Sequence, residues 1–177
     1  MRIIAGNHKG KKLKEFKGQE VRPTSDRAKE ALFSILSTTV LNSCFLDLCC
    51  GTGSVGLEAY SRGAKEVVFV DKSPKSIELA KQNAQSIGLN NEFVISDAVN
   101  YILKTDKKFD LIFFDPPYAF SEIEIVLNAV KKCKILNDGL FIYERDCKNQ
   151  PKQVSGFEIV DSRKYGVAVF DFYKETL

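Results

Sequence analysis

The chain has 177 residues, of which 44% are hydrophobic and 28% are charged, and its formal net charge is +3. These values predict one globular domain with a substantial core. Charged residues interrupt every apolar run before it reaches membrane-spanning length, and the first residues lack the pattern of a signal peptide. A single His and five Cys without a C-x-x-C pair argue against a zinc site. We therefore expect a cytoplasmic protein with no metal and no membrane partner.

The positive charge is concentrated in the first 22 residues. They hold seven Lys or Arg against two Glu, a local charge of +5, which leaves −2 for the rest of the chain. Because Lys and Arg displace counterions from nucleic-acid phosphates, such an arm is typical of proteins that bind a polyanion. A lysine-rich edge hairpin that prevents aggregation explains the same charge equally well.

The first 40 residues predict a hairpin and a helix. The stretches RIIAG and KKLKEF flank a turn that contains Gly and Asn, and they predict a short β-hairpin. In RPTSDRAKEALFSIL, Ser25 is a candidate N-cap, and Ala28, Leu32 and Ile35 recur at helical spacing. The helix is therefore predicted over roughly residues 26–38.

From residue 44 onward, apolar strands alternate with helices. The predicted strands are CFLDL, VVFVD, EFVIS, DLIFFD and GLFIYER, and the predicted helices are SVGLEAYSRG, SPKSIELAKQNAQSIG, AVNYILK and SEIEIVLNAVKKCK. The last segment, FEIVDSRKYGVAVFDFYK, predicts an antiparallel pair of strands. This alternation predicts an α/β, Rossmann-like fold: a mostly parallel seven-stranded sheet with helices on both faces. Ligands of such sheets bind at the carboxyl ends of the strands.

A glycine motif follows the first of these strands. The sequence GTGSVG, residues 51–56, fits G-x-G-x-x-G between a strand and a helix. Glycines let the backbone approach a ligand, and Asp71, at the end of the next strand, is placed to accept hydrogen bonds from ribose hydroxyls. The pattern predicts a nucleoside cofactor but does not separate NAD from S-adenosylmethionine. No Lys-Ser/Thr pair follows Gly56, which excludes a P-loop.

Two further features favour S-adenosylmethionine. Asp47 would repel a pyrophosphate, whereas it would attract an ammonium or a sulfonium group. The sequence Asp115-Pro116-Pro117-Tyr118 matches the [D/N/S]-PP-[Y/F] signature of methyltransferases that act on exocyclic amines of bases. Because prolines cannot continue a sheet ladder, the chain stops rigidly here and presents Asp115 and Tyr118 at the end of the strand.

With these motifs the chain resembles the bacterial 16S rRNA guanine-N2 methyltransferases, class I S-adenosylmethionine-dependent enzymes that modify the guanine conventionally numbered 966. The resemblance covers nearly the whole length. It rests on RIIAG with a later Gly and Leu13, RPTSDRAKEALF, DLCCGTGSVGLEA, the acid at Asp71, NA and LG in the following helix, DPPY, and the late KYG. RPT-x-DR-x-(K/R)-E-x-LF is the most diagnostic part. The departure is Cys49-Cys50, where the family more often has an aromatic residue and Ala, and where methyltransferases in general have Gly first.

The resemblance implies a division of the chain and a role for individual residues. The division is a basic hairpin arm (1–22), a helix over the substrate mouth (23–40) and a catalytic core (41–177). The implied catalytic residues are Asp115, Pro116, Pro117 and Tyr118. The implied cofactor residues are Asp47, Cys49, Gly51, Thr52, Gly53, Asp71, Lys72, Asp97 and Ala98. The implied RNA-binding residues are Arg2, Lys9, Lys11, Lys12, Arg22, Thr24 and Arg27. Asp97 would accept the adenine amino group, although the N-cap of the next helix explains it as well.

The DPPY cluster suits a poor nucleophile. The lone pair of a guanine N2 is delocalised into the ring, so the carboxylate of Asp115 and the carbonyl of Pro116 would each accept one N–H and aim the nitrogen at the methyl group. Hydrogen bonds to a charged acceptor contribute about 1.5–3 kcal/mol each, and alignment contributes up to roughly 7–11 kcal/mol. Tyr118 would stack on the extruded base.

Other functions stay open at this point. A DNA adenine-N6 methyltransferase would use the same tetrapeptide, although such enzymes usually carry a recognition domain for which this chain has no room. A non-catalytic RNA-binding assembly factor on a methyltransferase fold and an NAD oxidoreductase are the others. The expected partner is 16S rRNA within the assembled 30S subunit, bound by a monomer. The roles of Glu144, Tyr165 and Gly166 are not assigned.

Overall fold

A computed structural model describes residues 1–16, 25–117 and 119–176. Its strands are β1 (Cys44–Leu48), β2 (Glu66–Asp71), β3 (Glu92–Ile95), β4 (Phe109–Phe114), β5 (Leu136–Asp146), β6 (Phe157–Tyr165) and β7 (Ala168–Glu175). Its α-helices are α1 (Asp26–Leu36), α2 (Ser54–Ser61), α3 (Pro74–Gln85), α4 (Ala98–Lys104) and α5 (Ile123–Cys133). A 3-10 helix over Ser37–Val40 follows α1.

All seven strands belong to one sheet in the order β3-β2-β1-β4-β5-β7-β6. Strands β1 to β5 run parallel, and β7 lies antiparallel between β5 and β6. This is the predicted mostly parallel seven-stranded sheet. The order reverses between β1 and β4, and a crevice for ligands opens at such a switch point, outside the carboxyl ends of the two strands. The glycine motif follows β1 and the DPPY motif follows β4, so the topology brings the two motifs together.

The sheet is covered on both faces because alternate side chains of its strands point to opposite sides. Side chains of α1, α2 and α3 pack on one face, where Phe45, Phe69 and Phe113 are buried. Side chains of α4 and α5 pack on the other face, where Phe114 and Tyr173 are buried. The predicted helices on both faces are therefore confirmed.

Two predicted helix starts have the expected caps. The hydroxyl of Ser25 accepts a hydrogen bond from the N–H of Ala28 at 3.1 Å, and the hydroxyl of Ser73 accepts one from Ser76 at 3.3 Å. Pro74 occupies the first turn of α3, where no N–H is needed. The predicted end of α1 at residue 38 was wrong: the α-helix ends at Leu36, because Ser37 takes a φ of 43° and the chain tightens into the 3-10 helix.

The N-terminal arm, residues 1–16 in the structure, folds back on itself as predicted but is too short to form two strands. A single antiparallel bridge joins Arg2 to Lys12. The N–H of Ile3 donates to the Lys11 carbonyl at 3.0 Å, and the N–H of Leu13 donates to the Met1 carbonyl at 3.2 Å. Ile3 and Leu13 are buried in the core beside α1, so the arm is part of the packed domain. Among the helices described, none combines the length and apolarity needed to cross a bilayer.

Candidate cofactor and substrate site

The glycine motif connects β1 to α2 by a tight turn that needs Gly56. A Cβ on Gly56 would overlap the ring of Phe69 and lie 2.9 Å from Val67 Cγ1 and 3.0 Å from Asp47 Oδ2. Helix α2 therefore packs on β2 at a distance that no larger residue allows. The same close packing brings the N–H of Gly56 within 2.9 Å of the Asp47 carboxylate.

Asp71 fixes the turn from the neighbouring strand. Its Oδ2 accepts a hydrogen bond from the N–H of Gly51 at 2.9 Å, and its Oδ1 accepts one from the N–H of Ser73 at 2.8 Å. The carboxylate thus joins the glycine loop, which we define as residues 49–53, to the start of α3. Each carboxylate oxygen carries a second lone pair, so Asp71 retains the capacity to accept ribose hydroxyls.

Asp47 lies at the bottom of the site with only 1% of its surface exposed. Burial raises the pKa of Asp47 to about 8; the Gly56 N–H opposes this rise, and the nearby charge of Asp71 adds to it. The carboxyl group therefore holds its proton at neutral pH, and a cation beside it would favour the charged form. Its predicted contact with the methionine part of a cofactor stays a prediction.

Cys49 occupies the position where methyltransferases in general have Gly, and its backbone explains that preference. Its φ is 60°, in the left-handed region that glycine favours. Burial raises the pKa of Cys49 to about 12, and the carboxylates of Asp71, Asp115 and Asp47 raise it further. Three predicted site acids therefore act on one thiol, which shows that they converge. The thiol stays protonated and is a poor nucleophile.

The DPPY motif is attached to the end of β1. The N–H of Asp115 donates to the Leu48 carbonyl at 3.3 Å, next to the glycine loop. Pro116 is buried and Pro117 is exposed. The N–H of Phe120 donates to the Pro117 carbonyl at 2.7 Å and closes the turn, which Phe120 also anchors by packing its ring edge-on against Phe114 at 5.4 Å. Phe120 was missed as a site residue, although its place after DPPY was a visible signal.

Tyr118, Arg22 and Thr24 lie outside the described residues, so their roles stay predictions. The remaining predicted RNA-binding residues all have exposed side chains: Arg2, Lys9, Lys11, Lys12 and Arg27. Arg2 lies 3.7 Å from Asp26 at the start of α1 and keeps 65% of its side chain exposed. The arm and the start of α1 thus offer one set of cations to a polyanion.

Asp97 has the structural role that the sequence left open. Its Oδ1 accepts a hydrogen bond from the N–H of Asn100 at 2.9 Å, which caps α4 and lowers the pKa of Asp97. The carboxylate is exposed beyond the end of β3, and its contact with adenine stays a prediction. Lys72 is exposed directly after Asp71, whereas Ala98 packs against the core beside α4. The described residues contain no group of three or more His, Cys, Asp or Glu arranged to hold a metal ion.

Comparison with known proteins places this geometry in a family. The family model described as "Conserved hypothetical protein 95" matches residues 1–174. The chain belongs to this family. The match includes the N-terminal arm, the glycine loop and the DPPY motif, and thus extends over the whole site.

Relatives and solved structures agree with this assignment. A protein of Haemophilus influenzae named "Ribosomal RNA small subunit methyltransferase D" is 35% identical over 156 residues, which cover 85% of this chain and 81% of that protein. The protein of the same name from Buchnera aphidicola subsp. Acyrthosiphon pisum is 33% identical over 150 residues, covering 84% and 78%. The solved structure of yhhF from Escherichia coli has a TM-score of 0.88 at 26% identity and covers 99% of this chain and 97% of that one. The predicted family and fold are confirmed.

The segment RPTSDRAKEALF, which the sequence singled out as most diagnostic of the family, contains Lys29, and the structure assigns this Lys an anchoring role. Lys29 is fully buried, and its ammonium group donates to the Arg2 carbonyl at 2.7 Å. Glu58, fully buried in α2, lies 4.0 Å from it and accepts hydrogen bonds from the N–H groups of Ile4 at 2.7 Å and Ala5 at 3.0 Å. Arg62 donates to the same carboxylate at 2.7 Å. The motif therefore fastens the N-terminal arm to α1 and α2.

Proposed function

We propose that the protein transfers a methyl group from S-adenosylmethionine to the exocyclic N2 of a guanine in 16S rRNA, the one conventionally numbered 966, within the assembled 30S subunit. The observation that carries the proposal is the junction of the two motifs. The N–H of Asp115 is bonded to the last residue of β1, and the Asp115 carboxylate acts on Cys49 in the glycine loop. An acceptor for an exocyclic amine therefore stands beside a loop suited to a nucleoside cofactor.

The residues present fit S-adenosylmethionine better than a dinucleotide. Asp47, Asp71 and Asp115 all act on the Cys49 thiol, so the site has a negative potential. That potential disfavours a pyrophosphate and favours a ligand that brings an ammonium and a sulfonium group. Asp71 has lone pairs for the ribose hydroxyls, and Asp97 stands beyond the next strand for the adenine amino group. When bound, the cofactor supplies an electrophilic methyl group.

The chain's own contribution is to position the amine. The Asp115 carboxylate and the Pro116 carbonyl each accept one N–H of the guanine amine, which holds the nitrogen with its lone pair directed toward the glycine loop. Pro116 and Pro117 keep these acceptors rigid, because neither residue can rotate about φ. Preorganised acceptors of this kind change rates by about 10²–10³ when one is removed. Tyr118 supplies a ring on which the extruded base stacks.

The choice of substrate rests on the arm and on the family. The exposed cations of the arm suit rRNA phosphates, and the relatives named above carry the name of small-subunit rRNA methyltransferases. The arm and the start of α1 form a small recognition surface. We therefore expect an assembled 30S subunit, which presents the guanine in a fixed shape, to be a better substrate than naked rRNA.

The test uses tritiated S-adenosylmethionine and 30S subunits from a strain that lacks this gene. Naked 16S rRNA and duplex DNA serve as alternative substrates, and labelled nucleosides are identified by chromatography. We expect N2-methylguanosine from the subunits. Asp115→Ala should reduce the rate at least about 100-fold while S-adenosylhomocysteine still binds. Asp115→Asn, which keeps an acceptor and satisfies the signature, should retain measurable activity.

The matched control is Asp106→Asn, an exposed acid before the amino end of β4, which should leave the rate unchanged. N6-methyladenine in DNA would overturn the substrate. Equal rates on naked rRNA would overturn the preference for assembled subunits. Cofactor binding without transfer to any substrate would overturn the proposed catalysis and favour an assembly factor.

A further inference from the structure

The N-terminal arm and the glycine loop meet at Asn83, a residue of α3 with 1% of its surface exposed. Its Oδ1 accepts a hydrogen bond from the N–H of Lys14 at 2.8 Å. Its Nδ2 donates to the Lys14 carbonyl at 3.1 Å and to the Thr52 carbonyl at 3.0 Å. The amide thus binds both backbone groups of an arm residue and the carbonyl in the middle of the glycine loop.

A second contact joins the same two parts. The hydroxyl of Thr52 lies 3.7 Å from the sulfur of Met1. The amino group of Met1 is paired with Glu15, and the N–H of Leu13 donates to the Met1 carbonyl at 3.2 Å. Both ends of the arm therefore converge on Thr52. The loop is held by Asp71 on one side and by the arm on the other.

Asn83 is a polar exception on the buried face of α3. The other large or apolar residues buried on this face are Ile77, Ala80 and Ala84. A buried amide that lacks partners destabilises a fold by about 1–3 kcal/mol, so packing alone would favour an apolar residue here. The side chain's full set of backbone partners on two separate segments instead indicates that it sets the distance between them.

We propose that Asn83 is a positioning residue through which rRNA bound to the arm and cofactor bound to the glycine loop strengthen each other's binding. The inference rests on the proposed function, because it takes the arm as the rRNA contact and the loop as the cofactor contact. A ligand that orders the arm also fixes Lys14, and through Asn83 it fixes Thr52. The second ligand then orders less of the chain when it binds, which produces positive coupling without a change of shape.

The coupling is reciprocal, so it can be measured from the rRNA side. The affinity of the protein for unmethylated 30S subunits is determined with and without saturating S-adenosylhomocysteine. For the wild type we expect the ligand to tighten subunit binding about 5-fold or more. Asn83→Asp keeps the acceptor for Lys14 but removes both donated hydrogen bonds, and Asn83→Leu removes all three. In each variant the ratio of the two affinities should fall to about 1.

The matched control is Gln82→Ala. Gln82 accepts a hydrogen bond from the Lys14 ammonium at 2.9 Å, so it touches the arm but has no printed bond to the loop. This variant should keep the wild-type ratio. A variant that merely loosens the protein lowers both affinities and leaves the ratio intact, whereas loss of coupling changes the ratio itself.

Three results would overturn the inference or leave the proposed function alone in doubt. A wild-type ratio of about 1 in protein that methylates 30S subunits would refute the coupling while the function stands. A wild-type ratio retained in both Asn83 variants would refute the role of Asn83. Absence of methyl transfer by the wild type would refute the function instead. Should both variants fail to fold, hydrogen exchange in the wild type decides: S-adenosylhomocysteine should slow the Leu13 and Lys14 amides, and unchanged exchange would refute the coupling.

Discussion

Gly6 of the N-terminal arm lies against Ser61, the last residue of α2, so closely that a Cβ on residue 6 would overlap the Ser61 carbonyl and lie 2.8 Å from the nitrogen of Arg62. The Ser61 carbonyl accepts a hydrogen bond from the N–H of Asn7 at 2.8 Å, and its hydroxyl donates to the Ala5 carbonyl at 2.6 Å. The Gly of the RIIAG motif is therefore the point where the arm touches the core without a side chain between them.

Gly6→Ala should lift the arm from α2. The substitution meets two obstacles, the overlap with Ser61 and a φ of +80°. The matched control is Gly10→Ala, since Gly10 has a φ of +84° but open space around the added Cβ. The control isolates the backbone strain, roughly 1–2 kcal/mol. In urea unfolding we expect Gly6→Ala to lose more free energy than the control and to bind 30S subunits more weakly. Equal losses in the two variants would contradict the proposed contact.

The buried pair of Lys29 and Glu58 gives a second prediction. Burial lowers the pKa of Lys29, and the charge of Glu58 opposes that change. Glu58→Gln leaves the buried ammonium without its counter-charge, and breaking a buried pair in this way costs about 3–5 kcal/mol of unfolding free energy. The double variant with Lys29→Met should recover part of this loss, which a double-mutant cycle in urea measures.

The exposed pair of Arg163 and Asp161, at 2.9 Å, is the matched control for this cycle. Asp161→Asn should leave the urea midpoint unchanged, because exposed ion pairs contribute little. A simple sum of the two single losses in the double variant would show that Lys29 and Glu58 act independently and would contradict the anchoring role.

The parts predicted from the sequence are those whose signal is local. Ser25 and Ser73 cap helices a few residues away, and the apolar strands with their intervening helices fix the sheet order to a small set. The missed contacts join distant parts of the chain. Glu58 binds the N–H of Ile4 across 54 positions, and Asn83 binds Lys14 across 69. No spacing rule reports such pairs, because they depend on how the arm packs after the sheet has formed.

Cys49 lies between these cases. The preference of methyltransferases for Gly at this position was visible, and the structure supplies its reason in the φ of 60°. The consequence for the cofactor was not visible, since it depends on where the Sγ lies relative to three carboxylates from different strands. Only the fold brings Asp47, Asp71 and Asp115 to one thiol.

Replacing Cys49 should reverse the usual ranking of Gly and Ala. At ordinary positions Gly is less stable than Ala by about 0.4–1 kcal/mol, because it gains freedom in the unfolded chain. At a φ of 60° the Cβ of Ala is strained by roughly 1–2 kcal/mol, which Gly avoids. We therefore expect Cys49→Gly to have the higher melting temperature of the two. A higher melting temperature for Cys49→Ala would show that the left-handed conformation is not the one adopted.

Asp47 makes the stability of the protein depend on pH. Its pKa rises from 3.8 to about 8 on folding, so between these values the folded protein keeps a proton that the unfolded chain has released. Rising pH therefore favours unfolding through this group, by up to roughly 1.4 kcal/mol per pH unit. Asp47→Asn has no such proton and should gain stability relative to the wild type as pH rises from 5 to 8. Parallel urea unfolding curves across this range would contradict the buried, protonated carboxyl.

The same carboxyl should release its proton when the cofactor binds. A sulfonium or ammonium group beside Asp47 favours the charged form and lowers its pKa from about 8. The affinity for S-adenosylmethionine should then increase as pH rises toward 8 and level off above it, because less work is needed to ionise the group beforehand. Titration calorimetry in two buffers of different ionisation enthalpy measures the proton. We expect close to one proton per cofactor near pH 7 for the wild type and none for Asp47→Asn. Equal heats in both buffers for the wild type would mean that Asp47 does not respond to the cofactor's charge.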